Sequence, residues 1–289
     1  MEFCGVYTAM VTPFRNGAVD YTRLEELVEM QINGGVQGLV PVGTTGESPT
    51  LSVKEHLKVI EVVIKKAAGR CQIVAGTGAN STAEAIELTL EAKKAGADAT
   101  LQVTPYYNKP TQEGLYRHFS AVADATGVPV MLYNVPGRAG VPINVETIAR
   151  LSRNANIVAV KEAGGSVERV SQILDACDIT VLSGDDSLTV PMMSVGATGI
   201  VSVASNLIPA EVCAMVEAFA KGNVGEAMRL HRKFYPAYRD LFLETNPIPI
   251  KAAMAMKGML EEEYRLPLCQ MGESNRAKLQ ATLEKCGIL

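Results

Sequence analysis

Eight short apolar runs recur between residue 6 and residue 205, and this repeated pattern constrains the fold more than any other feature of the chain. Each run has the length of a strand, and the stretches between the runs carry apolar residues at helical spacing. Leu24, Leu27 and Val28, for example, share one face of such a stretch. Strands that alternate with helices predict a parallel sheet. The runs cover residues 6–13, 38–43, 73–78, 99–105, 128–136, 156–163, 179–184 and 199–205.

Eight strand–helix units in about 220 residues favour an α/β fold of the closed (β/α)8 type, which typically takes about 250 residues. A doubly wound open sheet is the structural alternative. From Asn223 onward the pattern is helical, with breaks at 246–249 and 265–268. Because no Ser/Gly-rich linker precedes this part, we expect a catalytic barrel over 1–222 and a small C-terminal helical region, 223–289, packed on it.

The ends of the helical stretches carry recognisable signals. Ser52 with Glu55, and Ser81 with Glu84, fit the capping box, in which each side chain satisfies a free backbone N–H of the other residue. One position disagrees with a regular helix, since Pro191 lies inside the stretch 187–195 and removes a backbone hydrogen bond there. We therefore expect a kink or a late start in this helix.

The charge of the chain argues against a nucleic-acid partner. The net charge is −4 at pH 7, and no basic block of five or more residues occurs. No apolar run approaches the length of about 18 residues that a membrane span requires. The first ten residues lack the basic start and long apolar core of a secretory signal. We therefore expect a cytoplasmic protein without a membrane partner.

The six cysteines are scattered and contain no CxxC pair, which suggests neither a zinc site nor a disulfide framework. We expect free, buried thiols in a reducing compartment. His56, His118 and His231 all fall in helical stretches rather than at strand ends. A histidine-rich metal site is therefore not expected.

No other cofactor signature stands out. The chain contains neither GxGxxG nor GxxxxGK[ST], the fingerprints of dinucleotide and nucleotide phosphate binding. Asp185 and Asp186 could bind a cation, but Asp186 is also a natural N-cap for the next helix, and we prefer the cap. With no metal and no cofactor expected, any chemistry must come from side chains.

In a (β/α)8 barrel, the active site lies at the carboxyl ends of the strands. Lys161 ends the sixth apolar run, and alternation places Ile157, Ala159 and Lys161 on one side of that strand. A lysine there is either a solvated strand end or a buried amine that can attack a carbonyl, and its position alone leaves both open. The segments at the strand ends are GTTGES (43–48), GTGAN (76–80), TPYYN (104–108), YNVPGR (133–138), KEAGG (161–165) and SGDD (183–186).

Four residues at neighbouring strand ends, taken jointly with Lys161, favour carbonyl chemistry on an acidic substrate. Tyr133 could pass protons during imine formation, although core packing is common for tyrosine. Thr44 and Thr45 could hold a carboxylate, or could simply form a turn. The planar fork of Arg138 suits a second carboxylate, although a surface salt bridge is the commoner fate of a loop arginine.

Taken in order, these segments closely resemble the dihydrodipicolinate synthase family. The resemblance implies a lyase on a (β/α)8 barrel that joins pyruvate to L-aspartate 4-semialdehyde through a lysine Schiff base. The product would be 4-hydroxy-tetrahydrodipicolinate, in diaminopimelate and lysine biosynthesis. The resemblance runs from TAMVTPF (8–14) to NPIPIK (246–251) and RLPL, through GTTGES, AGTGAN, TPYYNKPTQEGL, LYNVPGRAG, VKEA and SGDD.

The resemblance also implies roles for the residues at the strand ends. Lys161 would form the imine with pyruvate. Tyr133, Thr44 and Tyr107 would form a proton relay, in which Tyr107 reaches into the site of a neighbouring subunit.

Substrate binding is implied in the same way. Thr44 and Thr45 would hold the pyruvate carboxylate, and Arg138 would hold the carboxylate of the aldehyde. Gly184 and Val201 match positions that line the site through backbone groups. No metal or nucleotide is expected beside the covalent imine.

Members of this family are usually homotetramers built from two tight dimers, and L-lysine inhibits some of them. Val53 departs from the pattern of lysine-sensitive members, because a histidine stands there in some of them. The residues that match the inhibitor-site pattern are Ser48, His56, Asn80, Glu84 and Tyr106.

Two other functions are kept open. N-acetylneuraminate lyase and the 2-keto-3-deoxy sugar acid aldolases use a similar lysine and tyrosine, but Thr44 with Thr45 and the arginine at 138 favour the synthase. A catalytically silent barrel that binds pyruvate or lysine as a regulator is the more distant alternative. Such a protein need not retain Lys161 together with Tyr133 and Thr44.

Overall fold

The computed structural model describes residues 2–289, and eight of its strands are parallel and close into a barrel. The strands are β1 (Gly5–Ala9), β2 (Phe14–Arg15), β3 (Ala18–Val19), β4 (Gly38–Val40), β5 (Gln72–Gly76), β6 (Ala99–Val103), β7 (Val130–Asn134), β8 (Ile157–Glu162), β9 (Thr180–Ser183) and β10 (Gly199–Ser202). Around the barrel the order runs β1-β10-β9-β8-β7-β6-β5-β4, and β1 also pairs with β4. The predicted (β/α)8 barrel is confirmed, and the open-sheet alternative is wrong.

Eight helices lie at the predicted helical stretches, one after each barrel strand. A one-turn helix, α5, and the antiparallel hairpin of β2 and β3 were not predicted. The helices are α1 (Tyr21–Asn33), α2 (Val53–Ala67), α3 (Thr82–Ala95), α4 (Gln112–Thr126), α5 (Pro136–Ala139), α6 (Val145–Leu151), α7 (Val167–Ala176), α8 (Thr189–Met193), α9 (Pro209–Ala220), α10 (Val224–Asp240), α11 (Ile248–Met256) and α12 (Glu273–Cys286).

Local sequence explains where several helices begin. At α2, the Glu55 N–H donates to Ser52 Oγ, and the Ser52 N–H donates to the Glu55 carboxylate, so the capping box is complete. At the seventh stretch, a 3-10 turn over residues 186–188 precedes α8, which starts at Thr189. Pro191 then lies in the first turn of α8, where no N–H is needed. The expected late start is therefore confirmed.

Side chains pack in two layers around the barrel wall. One cluster fills the barrel interior and includes Tyr7, Val74 and Met131. A larger cluster lies between the strands and the helices, and it also contains Phe234 of α10 and Leu279 of α12. The C-terminal helices therefore share the outer core of the barrel, while the division into 1–222 and 223–289 stays a prediction.

All six cysteines are free, as expected, but only Cys286 is buried. Cys71, Cys177 and Cys213 are partly buried, and the expectation of burial is wrong for Cys4 and Cys269, which are exposed. Both lie outside regular elements, at the chain start and in the segment before α12. Over residues 2–289, no helix is both long enough and apolar enough to cross a membrane.

Candidate active site

Lys161 lies at the carboxyl end of β8, in register with Tyr133 of β7 and Leu182 of β9. Its side chain is buried, with 5 % of the residue surface exposed. A solvated strand end is therefore wrong for this lysine. The barrel wall places its amine inside the ring of strand ends, where a small substrate can meet it.

The orientation of Lys161 depends on a bulge in β8. Val130 pairs with Ile157, but Met131 pairs with Ala159, so the register shifts by one residue at Val158. Ala159 packs in the barrel interior, whereas Ile157 belongs to the outer cluster. The expectation that Ile157 shares the side of Ala159 and Lys161 is wrong, because the extra residue of a bulge interrupts alternation.

Tyr133 and Gly184 flank the lysine. Lys161 Nζ lies 4.3 Å from the centroid of the Tyr133 ring. A Cβ atom placed on Gly184 would lie 3.0 Å from Lys161 Cε and 2.6 Å from Ala163 Cβ. Only glycine therefore leaves room for the lysine side chain at this position. Val201, also predicted at the site, is fully buried in the interior cluster with Tyr133.

A cavity of about 210 Å³ opens beside this group at the strand ends. Its lining includes Thr44, Tyr133 and Arg138, which are three of the predicted catalytic residues. Ser48 and Tyr106, predicted for an inhibitor site, line the same cavity. The structure thus brings residues from both predicted sets around one space, which is large enough for a small 2-oxo acid.

Asn246 connects the two groups that were expected to hold carboxylates. Its side-chain amide donates to Thr45 Oγ1 at 2.9 Å, and its backbone carbonyl oxygen accepts from Arg138 Nη2 at 3.0 Å. Thr45 is buried, and its hydroxyl faces Asn246 rather than the cavity. Arg138 lies on α5, where a turn was expected. The sequence did not predict Asn246, because nothing in its local sequence links it to residue 45 or 138.

The loop after β4 has an unusual backbone. Val42, which lines the cavity, has a φ of 51°, and Glu47 has a φ of 54°. A β-branched residue rarely adopts this left-handed conformation, and such strain concentrates at functional sites. The loop that carries Thr44 is therefore held in shape by its surroundings.

Asp186 does not have the predicted function of capping its own helix. Its buried carboxylate accepts hydrogen bonds from Ser202 Oγ at 2.5 Å and from the N–H groups of Val203 and Ala204 at 3.0 and 3.1 Å. It therefore caps the turn after β10, and burial raises its pKa. Burial also raises the pKa of the neighbouring Asp185 to about 6, although the charge of Lys161 opposes this shift.

Tyr107 is the predicted catalytic residue that a single chain does not bring to the cavity. It is 91 % exposed and has a φ of 74°. Its ring is open to solvent, and it does not line the cavity. Its predicted function in a neighbouring subunit stays a prediction.

The remaining residues of the predicted inhibitor site lie close to the cavity wall. His56 is buried, its Nε2 lies 2.8 Å from the Gly76 carbonyl oxygen, and burial lowers its pKa. Asn80 donates from its side-chain amide to the Tyr106 carbonyl oxygen at 3.2 Å. Burial raises the pKa of Tyr106, and the nearby carboxylate of Glu84 adds to this effect.

Among residues 2–289, no cluster of three or more His, Cys, Asp or Glu side chains has the arrangement of a metal site. The groups gathered at the strand ends are instead an amine, hydroxyls and a guanidinium. An amine can form an imine with a ketone, and hydroxyls can move the protons that this step requires.

Comparison with known proteins agrees with this chemistry. The family model described as "Dihydrodipicolinate synthetase family" matches residues 2–286. A protein of Pelobacter propionicus named 4-hydroxy-tetrahydrodipicolinate synthase is 51 % identical over 289 residues, which cover 99 % of this chain and 100 % of that protein. The structure of this enzyme from Methylacidiphilum fumariolicum SolV superposes with a TM-score of 0.98 at 52 % identity, covering 99 % of this chain and 96 % of the other.

Two further structures carry ligands. The chloride-inhibited dihydrodipicolinate synthase of Acinetobacter baumannii, in complex with pyruvate, is 45 % identical, with a TM-score of 0.97 and 99 % of both chains covered. The enzyme of Cyanidioschyzon merolae with lysine bound is 43 % identical, with a TM-score of 0.96 and 99 % of both chains covered. With a family match over almost its whole length, this chain belongs to the dihydrodipicolinate synthetase family.

Proposed function

We propose that this chain is a lyase that condenses pyruvate with L-aspartate 4-semialdehyde to give 4-hydroxy-tetrahydrodipicolinate, in diaminopimelate and lysine biosynthesis. The observation that carries the proposal is the buried amine of Lys161 beside Tyr133, next to a cavity that Thr44 and Arg138 line. Relatives that are about 50 % identical over almost the whole chain are named 4-hydroxy-tetrahydrodipicolinate synthase.

The first step joins Lys161 to pyruvate. The neutral amine attacks the C2 carbonyl carbon, and the resulting carbinolamine loses the carbonyl oxygen as water to leave an imine. Proton transfer to that oxygen is needed before water departs. Tyr133 is the hydroxyl-bearing side chain in register with Lys161 on the adjacent strand, and Thr44, which lines the same cavity as Tyr133, continues the path.

The second step forms the new carbon–carbon bond. Loss of a proton from C3 of the imine gives an enamine, whose C3 attacks the aldehyde carbon of the second substrate. The amino group of that substrate then attacks the imine carbon, which closes the ring and releases Lys161 as the free amine. Arg138 at the cavity suits the carboxylate of the aldehyde, because its planar fork can bind both oxygens.

Pyruvate binding requires groups that recognise its carboxylate. Thr44 lines the cavity, and the backbone of Thr45 follows it in the same loop. Gly184 lies against the Lys161 side chain, and we assign Val201, which shares the interior cluster with Tyr133, to the backbone lining of the site. No metal or cofactor is part of this proposal.

Borohydride trapping tests the imine. The parent chain incubated with pyruvate and borohydride should gain the mass of a reduced pyruvate adduct on the peptide that contains Lys161. Lys161→Ala should gain none. Lys257→Ala, which removes an exposed lysine at the end of α11, should form the adduct as the parent does. A parent chain that forms no adduct would support the silent-regulator alternative.

Aldehyde choice tests the second substrate. Condensation should proceed with L-aspartate 4-semialdehyde and not with N-acetylmannosamine. Turnover of the amino sugar instead would keep the imine but move the chain to the N-acetylneuraminate lyase type. This result would also contradict the assignment of Arg138.

We further propose a homotetramer built from two tight dimers, in which Tyr107 completes the site of a partner subunit. Its 91 % exposure leaves the ring free for such a contact. Sedimentation at micromolar concentration should give a tetramer, and Tyr107→Phe should lower turnover while leaving assembly unchanged. A cytoplasmic location stays a prediction.

L-Lysine is a proposed effector at the cavity wall. Ser48, Asn80, Glu84 and Tyr106 offer hydroxyl, amide and carboxylate groups that suit an amino acid, while the buried His56 supports the wall from behind. Lysine should lower turnover in the parent and have less effect in Glu84→Gln. Equal inhibition of the parent and of Glu84→Gln would mean that L-lysine binds at a different site.

A further inference from the structure

Glu47 and Lys251 form an ion pair that protein encloses completely. Lys251 Nζ lies 2.6 Å from Glu47 Oε1, and neither side chain has exposed surface. Taking two charges out of water has a large cost, which their mutual attraction offsets only in part. A pair in this setting is weak evidence for stability and calls for another explanation.

The pair joins parts of the chain that are far apart in sequence. Glu47 Oε2 accepts from the Arg265 N–H at 3.2 Å. Lys251 Nζ donates to the Thr12 carbonyl oxygen at 3.2 Å and lies 4.3 Å from the centroid of the Phe14 ring. The loop after β4 is thereby tied to the segment after β1, to α11 and to the segment before α12.

The same loop carries the residues proposed to bind pyruvate. The Glu47 N–H donates to the Thr44 carbonyl oxygen at 3.1 Å, so the two residues are linked directly through the backbone. Glu47 also holds the left-handed φ of 54°, which a residue with a side chain disfavours. The contacts of its carboxylate therefore anchor a residue whose backbone conformation is strained.

We propose that Glu47 and Lys251 are positioning residues that fix the 43–48 loop and so set the place of Thr44 and Thr45. This inference rests on the proposed function, because it assigns the loop to the pyruvate carboxylate. Neither residue lines the cavity. They act through the backbone of the loop, and their loss should weaken pyruvate binding more than binding of the aldehyde.

The competing explanation is that the ion pair only stabilises the fold. Two single variants and their double variant distinguish this explanation from positioning of the loop. Glu47→Gln and Lys251→Met each leave one buried charge without its partner, so both should destabilise the fold. The double variant leaves no unpaired charge, so its stability should return toward that of the parent. If the pair positions the loop, the double variant should regain stability but should still need more pyruvate than the parent to reach half-saturation.

Three measurements on the full chain provide the readouts: urea unfolding, amide hydrogen exchange of the 43–50 peptides, and the pyruvate concentration that half-saturates borohydride trapping. In the double variant we expect parental stability, faster exchange in 43–50, and a half-saturating pyruvate concentration raised about tenfold, since displacements of about 1 Å have large effects. Leu283→Ala, in the buried face of α12, is the control that loses stability without touching the loop.

A double variant with parental exchange and parental pyruvate dependence would overturn the proposal and leave the pair a purely structural feature. Leu283→Ala raising the pyruvate requirement as much as the pair variants would overturn it equally. A parent chain that forms no adduct would contradict the proposed function instead. The exchange of 43–50 would then decide alone whether the pair fixes the loop.

Discussion

Gly184→Ala tests how closely the barrel positions Lys161. Gly184 has no left-handed φ, so alanine would not strain the backbone. Its Cβ atom would, however, lie 2.6 Å from Ala163 Cβ and 3.0 Å from Lys161 Cε. Carbon atoms at optimal separation lie about 3.5–4.0 Å apart, so one of these groups must move by about 1 Å.

The Lys161 side chain can give way, but the shorter contact with Ala163 Cβ is relieved only by a backbone shift. The bond from Gly184 N–H to the Glu162 carbonyl oxygen, at 2.7 Å, opposes that shift. Either movement displaces Lys161 or the end of the strand pair that carries it. A displacement of about 1 Å can reduce a reaction rate about 100-fold. That factor corresponds to about 2.7 kcal/mol at 25 °C. We therefore expect imine formation to slow by this amount, with a loss of folding stability from the Ala163 contact that urea unfolding measures separately.

The assay is the initial rate of borohydride trapping at saturating pyruvate, alongside urea unfolding. Gly225→Ala is the matched control, because a Cβ atom there meets nothing within 4 Å and the position lies on α10, away from the barrel mouth. A parental trapping rate in Gly184→Ala would refute the reasoning, since the lysine would then tolerate the contact. A loss of rate only in proportion to unfolded protein would refute it equally.

Three further predictions concern charge and capping. Burial raises the pKa of Asp185 from 3.8 to about 6, so between pH 3.8 and about pH 6 the folded chain binds more protons than the unfolded chain. The free energy of unfolding should then fall as pH rises through that window, by at most about 3 kcal/mol, and Asp185→Asn should remove the fall in urea titrations at pH 4 and pH 7. Arg138→Ala should raise the KM for the semialdehyde while leaving the KM for pyruvate nearly unchanged, and equal effects on both would contradict its assignment. Ser52→Ala should lower stability by about 1 kcal/mol through loss of the α2 cap, with turnover unchanged.

The sequence predicted the barrel because its signal is periodic and repeated. Helix starts such as that of α2 follow from local side chains, since a capping box needs only residues three apart. The position of Lys161 followed from the same logic, because parallel strands bring their carboxyl ends to one face. Residue-type patterns along the chain were sufficient for each of these.

Features set by distant contacts were not predicted. The bulge at Val158 turns Ile157 outward, and it depends on pairing with β7 rather than on the β8 sequence. Asp186 has a side chain suited to its own helix, yet the free N–H groups of the turn after β10 bind it instead. Asn246 lies 201 residues from Thr45, so only folding reveals the bond between them.

Closure of the barrel separates folding from assembly. Each of the eight strands has a hydrogen-bonded neighbour on both sides, so among the described residues the barrel offers no free sheet edge to a second chain. Chains with open edges risk uncontrolled pairing and must guard against it. A contact between copies, as proposed above for the exposed Tyr107, would therefore have to use loops and helix faces. Substitutions there would then alter the proposed assembly and leave each barrel intact.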